Sequence, residues 1–165
     1  MAYLIIDGYN LLAVSGFSNR DKLISALAQY RKEKKHEVTV VFDGTHTGTG
    51  SGDRYHVEHV EVIFSPITVQ ADDMIEEMLN KVEPSRTIVI SSDRRIQSAA
   101  LRSNATYVTS QEFSRRLKHS TSGSSEMGTP PWMEGREDED AKPSSSKGRK
   151  LPKDERRRQQ NLKKL

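Results

Sequence analysis

Three aspartates close three apolar runs in this chain: Asp7 ends YLIID, Asp43 ends VTVVFD and Asp93 ends TIVISSD. A further pair, Asp72 and Asp73, opens the segment ADDMIEEMLNKV. Carboxylates brought close together repel one another unless a cation joins them. Hard oxygen ligands without cysteine or histidine suit Mg²⁺ or Mn²⁺ better than zinc. Clusters of this kind, holding one or two such ions, hydrolyse phosphodiesters with water as the nucleophile. One aspartate after a strand is ordinarily a helix cap or a turn residue. Three at successive run ends, with a fourth position at a helix start, point instead to metal binding.

Several neighbours of these acids invite a role. Asn10, three residues after Asp7, is placed to orient it, to donate to a phosphate oxygen, or to cap a turn. Arg94 and Arg95 follow Asp93 at a helix start, where a substrate phosphate would be held by guanidinium and helix N-terminus together. Ser91 and Ser92 are placed to add hydroxyls to the site, although capping that helix is their first reading. The loop Gly44–Gly52, GTHTGTGSG, has neither the spacing nor the lysine of a phosphate-binding P-loop. It reads as a flexible loop or a flap over a substrate groove, with Arg54 and His56 on its far side. His46, His56 and His59 are poorly spaced for zinc and have no cysteine to help them. A haloacid-dehalogenase-type phosphatase would need an aspartate two positions after Asp7, where this chain has Tyr9.

The elements that must position these residues follow from pattern and composition. The chain has 165 residues, no cysteine, 33% hydrophobic and 30% charged residues. The lack of thiols excludes disulfides, thiolate metal sites and cysteine nucleophiles. No apolar run approaches the ~20 residues needed to span a bilayer, and the first acid at Asp7 interrupts any signal-peptide core. A soluble, cytoplasmic protein that avoids membranes is expected.

Residues 1–119 hold 15 Lys+Arg and 15 Asp+Glu, whereas residues 120–165 hold 11 and 8. Within the latter, Lys142–Lys164 has ten bases against two acids. Residues 120–150 are rich in Ser, Pro and acids and carry only Met127, Trp132 and Met133 as large apolar residues. Such a segment cannot offset its ordering entropy by burial, so a disordered linker is expected there. Residues 151–165 read as a basic tail, able to form a helix from Pro152 on binding. Arg156, Arg157 and Arg158 are its densest charge and candidate substrate contacts.

The domain expected over 1–119 alternates strands and helices. Tyr3–Ile6, Val38–Phe42, Val60–Phe64, Thr87–Ile90 and Thr106–Val108 read as strands. Helices are expected over Lys22–Lys35, over the stripe Ala71, Met74, Ile75, Met78, Leu79 and Val82, and over Arg94–Arg102. A last one opens at the capping box of Thr109 and Glu112 and runs to about Lys118. Apolar strands interleaved with helices imply an α/β fold of three layers, with a mostly parallel sheet of about five strands. Ligands bind beyond the carboxyl ends of such strands, which is where Asp7, Asp43 and Asp93 stand.

Five blocks carry a resemblance: LIIDGYNLL (Leu4–Leu12), VVFDG (Val40–Gly44), VEVIFS (Val60–Ser65), ADDMIE (Ala71–Glu76) and SSDRR (Ser91–Arg95). In this order and spacing they resemble the YacP-like branch of the NYN nucleases, within the PIN-like superfamily of metal-dependent ribonucleases. The resemblance covers about residues 1–119. It implies a PIN-like α/β/α domain and an endoribonuclease centre using Mg²⁺ or Mn²⁺, with Asp7, Asp43, Asp72 and Asp93 as its acids and Asn10 as the asparagine of the opening motif. Asp73 is a second acid where the family often has a small residue, so either member of the pair is a candidate ligand. The expected substrate is single-stranded or unpaired RNA, mRNA on the ribosome and hence mRNA decay being one candidate setting, with 5′-phosphate and 3′-hydroxyl products. A non-catalytic RNA-binding or ribosome-associated factor with a structural metal site is the alternative.

Overall fold

The computed structural model describes residues 1–44, 52–121 and 160. Six strands and five helices alternate through it. Strand β1 (Tyr3–Asp7) leads directly into α1 (Gly8–Ser15), followed by α2 (Arg20–Lys34) and β2 (Glu37–Phe42). The hairpin of β3 (Arg54–Val57) and β4 (Val60–Phe64) precedes α3 (Ala71–Leu79). The domain then runs through β5 (Thr87–Ile90), α4 (Arg94–Arg102), β6 (Thr106–Val108) and α5 (Ser110–Thr121).

The sheet order is β3-β4-β2-β1-β5-β6, parallel throughout except for β3 against β4. Both faces are apolar, as a covered parallel sheet requires. Leu4, Ile6, Val40, Phe42, Val62 and Ile90 bury one face against α1, α2 and α5. Ile5, Val41, Ile63 and Val89 bury the other, together with Ile75 and Leu79 of α3 and Ile96 of α4. Three layers result, as expected.

The sheet has six strands rather than about five. The added strand, β3, gives no sign of itself in the sequence because RYHV has no buried face: its first three residues are exposed. It pairs through a two-residue turn, Glu58–His59, with φ of 45° and 70°. Such a turn normally advertises itself by Asn or Gly, and neither is present. The ends of α2 and α5 also differ: Asn19 caps α2 two residues early, accepting from the Lys22 amide at 2.9 Å. Helix α5 continues to Thr121, and Ser120 is buried. The capping box at its start is present: the Thr109 amide donates to Glu112 Oε2 (3.3 Å) and the Glu112 amide to Thr109 Oγ1 (3.3 Å).

Both aspartate–glycine pairs are explained by close approach. A Cβ on Gly8 would lie 2.4 Å from the Phe42 ring, and one on Gly44 would lie 1.8 Å from the Ser65 carbonyl oxygen. The Gly44 amide also donates to Ser65 Oγ at 3.1 Å. Here the obstacle is backbone, which cannot swing aside. Gly44→Ala is therefore expected to destabilise the domain by about 1–3 kcal/mol, the usual overpacking range. An unchanged urea midpoint would show that the end of β4 yields freely.

The expected linker and tail, including Arg156, Arg157 and Arg158, lie outside the described residues, as does most of the Gly44–Gly52 loop with His46. Among the described residues no helix is long and apolar enough to cross a membrane.

Candidate active site

The strand order reverses between β1 and β5. From β1 the chain builds outward through β2 and β4, then returns to place β5 on the other side. A crevice opens at such a switch point, beyond the carboxyl ends of the two strands. Asp7 is the last residue of β1, and Ser91–Asp93 follow β5.

Asp7 is only 8% exposed. It is the N-cap of α1: one carboxylate oxygen accepts from the Asn10 amide at 3.1 Å. The other accepts from Ser91 Oγ at 3.2 Å. Ser91 Oγ in turn accepts from the Asp93 amide at 3.0 Å, so one buried hydroxyl ties the two acid-bearing turns together. Asp93 caps α4 and accepts from the Arg95 amide at 2.7 Å. Asp72 lies in the first turn of α3, half-buried.

The electrostatics tie these three acids into one group. Burial raises the Asp7 carboxyl above its ordinary value; the hydrogen bonds from Asn10 and Ser91 oppose this, and the charges of Asp72 and Asp93 add to it. Burial likewise raises Asp72, with Asp93 adding and Arg95 opposing. Acids pushed up by burial and by one another form an uncompensated anionic pocket, the environment a divalent cation relieves.

The remaining candidates fall out differently. Asp43 follows β2, two residues beyond Val41, which lies beside Asp7 in the parallel register. It stands on the adjacent strand end but is not among the main charges acting on Asp7. Asp73 turns outward to an ion pair with Arg95. Arg95 also donates from Nε to Glu76 at 2.8 Å, so its guanidinium straps α4 to α3. Arg94 is exposed and makes no ion pair among the described residues, leaving it able to meet a phosphate. Arg54 pairs with Glu61 at 3.1 Å on the edge hairpin, three strands from β1.

Asn10 proves to be a clamp. Its side-chain oxygen accepts from the Ser92 amide (3.0 Å) and from Ser110 Oγ (2.6 Å), joining α1, the β5–α4 turn and the start of α5. Sequence reasoning misses Ser110, a hundred residues away with no local signal. Of the two readings open for Ser91, helix capping or a hydroxyl added to the site, its hydroxyl takes the second, spanning Asp7 and Asp93.

A metal fits this donor set in chemistry more than in closure. Among the described residues no three acidic or histidine side chains stand close enough to enclose an ion by themselves. Mg²⁺ asks for less than that: it keeps several waters and takes one or two carboxylates directly. Asp7, Asp72 and Asp93 are the residues that would hold it, directly or through water.

The family model described as "YacP-like NYN domain" matches residues 4–164, extending past the five blocks and past α5. Two crystal structures of Rae1 (YacP) from Bacillus subtilis are similar to this chain, both at 26% identity over 73% of its length. A mutant form gives a TM-score of 0.60 with 77% of its own chain covered. The other structure gives 0.57 with 76% covered. No curated protein matches the sequence.

Proposed function

Since the chain belongs to the YacP-like NYN domain family, a nuclease-like family of the PIN-like type, we propose that it is a metal-dependent endoribonuclease cutting single-stranded or unpaired RNA. The observation that supports this most is the grouping of Asp7, Asp72 and Asp93 at the switch point of the sheet. Each Asp7 oxygen accepts one hydrogen bond from within the fold. Each therefore keeps a lone pair for an ion. The Ser91 and Asn10 bonds hold that carboxylate in one orientation, so it needs no reorganisation on loading. Asp43 completes the acid set from the neighbouring strand end. A Mg²⁺ or Mn²⁺ ion held there would lower the pKa of the attacking water and neutralise charge on the phosphate. Arg94 supplies a cation beside Asp93 for a phosphate oxygen, and water is the nucleophile. Cleavage then leaves a 5′-phosphate and a 3′-hydroxyl.

Incubating the full chain with single-stranded RNA and Mn²⁺ or Mg²⁺ tests this. Fragments with 5′-phosphates, abolished by EDTA and by Asp93→Asn, are expected. RNA binding without cleavage in either condition would make the chain a non-catalytic binding module instead.

The basic tail enters the same reading. Residues 1–119 are net neutral and present acids to the substrate, so they attract RNA weakly at long range. Lys142–Lys164, with ten bases and two acids, supplies the attraction. Deleting 142–165 is expected to weaken RNA binding. The log–log salt slope should fall by roughly 3.5–4.5 units if the tail neutralises about five phosphates. Turnover at saturating RNA should survive. An unchanged slope in filter-binding assays would reduce the tail to a solvated surface.

A further inference from the structure

On the opposite face of the sheet from the α3–α4 layer, a row of aromatic rings runs outward from the acid-bearing edge. Tyr9 meets Phe42 edge-on, with centroids 5.2 Å apart; Phe42 stacks on Phe64 at 5.4 Å; Phe64 stacks on Tyr55 at 6.1 Å. The row begins two residues from Asp7 and passes through the residue before Asp43. Its inner rings are core: Phe42 is fully buried and Phe64 nearly so. Tyr55 is not, being 42% exposed on the edge strand. With one face stacked on Phe64 at an interplanar angle of 22°, it turns its other face to solvent.

Arg20, at the start of α2, completes the arrangement. Its guanidinium lies over the Phe64 ring, 5.3 Å from the centroid, and Nη1 donates to the Tyr9 hydroxyl at 3.3 Å. It makes no ion pair among the described residues, so its charge is held rigidly by a ring and a phenol and is neutralised by neither. Tyr55 and Arg20 both lie against the Phe64 ring, and the Tyr55 hydroxyl feels the charges of Asp21, Arg20 and Asp53.

An exposed ring on a rigid aromatic base, near a planar cation that no carboxylate holds in an ion pair, is how sequence-tolerant single-strand sites are built: the ring takes a base face and the arginine a phosphate. A protein-binding patch would be expected to extend over further exposed apolar residues. Among the described residues the other large ones are Met1, Ile67 and Leu101, scattered singly through the sequence. We infer that Tyr55 and Arg20 form an RNA-binding subsite, in which Tyr55 stacks on a nucleobase and Arg20 holds a phosphate of the strand leading to the acid cluster. Strand β3 is three strand spacings from β1, or about 14 Å, a distance that a few nucleotides span. This rests on RNA being the substrate, as proposed above.

The test uses the full chain carrying Asp7→Asn, with Mg²⁺, so that RNA is bound without being cut. A fluorescein-labelled single-stranded oligoadenylate is titrated by anisotropy. Tyr55→Ala is expected to weaken binding about ten-fold, the loss of one stacked base, while Tyr55→Phe binds like its parent. On the oligonucleotide whose abasic substitution costs the parent most, Tyr55→Ala should cost nothing further, which isolates the stacking pair. Arg20→Gln should lower the salt slope by about one unit. Equal binding by Tyr55→Ala and its parent would overturn the subsite and leave the RNA reading standing. A parent that binds no single-stranded RNA would overturn both.

Discussion

Replacing Asp7 with asparagine is expected to abolish metal-dependent RNA cleavage while making the metal-free protein more stable. Substituting residues that only orient a ligand typically costs 10–100-fold in metal affinity or activity. A carboxylate proposed to hold the ion itself should cost more, on the order of a thousand-fold. The stability gain has the opposite origin. Asp7 is buried against Asp72 and Asp93, and its carboxyl is raised above 3.8. Asparagine is close in shape and carries no charge to desolvate; its one carbonyl oxygen can still accept from the Asn10 backbone amide, and its NH2 can donate to Ser91 Oγ in place of accepting from it.

The sign of the pH dependence follows. In the unfolded chain Asp7 titrates near 3.8; in the folded chain it holds its proton to higher pH. Its contribution to stability is complete below 3.8 and is lost as the pH rises through the raised folded value. Asp72 behaves in the same way. Melting temperatures of parent and Asp7→Asn in EDTA should therefore coincide at low pH and separate as the pH rises above the ordinary carboxylate range, with the variant higher. Mg²⁺ or Mn²⁺ should close the gap by stabilising the parent alone. A variant that melts below its parent at neutral pH in EDTA would show that the Ser91 and Asn10 hydrogen bonds outweigh burial of the charge.

The acid cluster is legible in the sequence because each half of its geometry is local. Short β-branched runs fix strands, parallel strands share a carboxyl edge, and an aspartate ending a run must stand there. The Thr109–Glu112 capping box and the stripe from Ala71 to Val82 are equally short-range; the capping box forms as expected, and the stripe is helical as far as Leu79, where α3 ends with Asn80 as its cap. What stays hidden depends on contacts between distant segments. Asn10 gains its clamp from Ser92 and Ser110, neither predictable from its neighbours. Arg95 reads as a phosphate ligand by its place after Asp93, but a helix packed alongside offers it Asp73 and Glu76. Edge strand β3 has no buried face, so alternation cannot reveal it, and Tyr55 gains meaning only once Phe64 lies beneath it.

Arg95 also distinguishes the two members of the acidic pair. On a helix, adjacent residues point about a hundred degrees apart, so Asp72 and Asp73 cannot both face the crevice. Asp72 is half-buried and coupled first of all to Asp93; Asp73 is exposed and paired with Arg95. Asp72→Asn is therefore expected to lower cleavage on the order of a thousand-fold and to weaken Mn²⁺ binding measured by calorimetry. Asp73→Asn should stay within about five-fold of the parent, since an exposed ion pair contributes little and Arg95 keeps Glu76. The same pairing sets a second distinction. Arg95 opposes the rise of the Asp72 carboxyl, so Arg95→Ala should move the acid limb of the pH–rate profile upward and leave the rate at higher pH nearly unchanged. Loss of activity at every pH in Arg95→Ala would mean that its guanidinium meets the substrate after all. A greater loss from Asp73→Asn than from Asp72→Asn would exchange their roles.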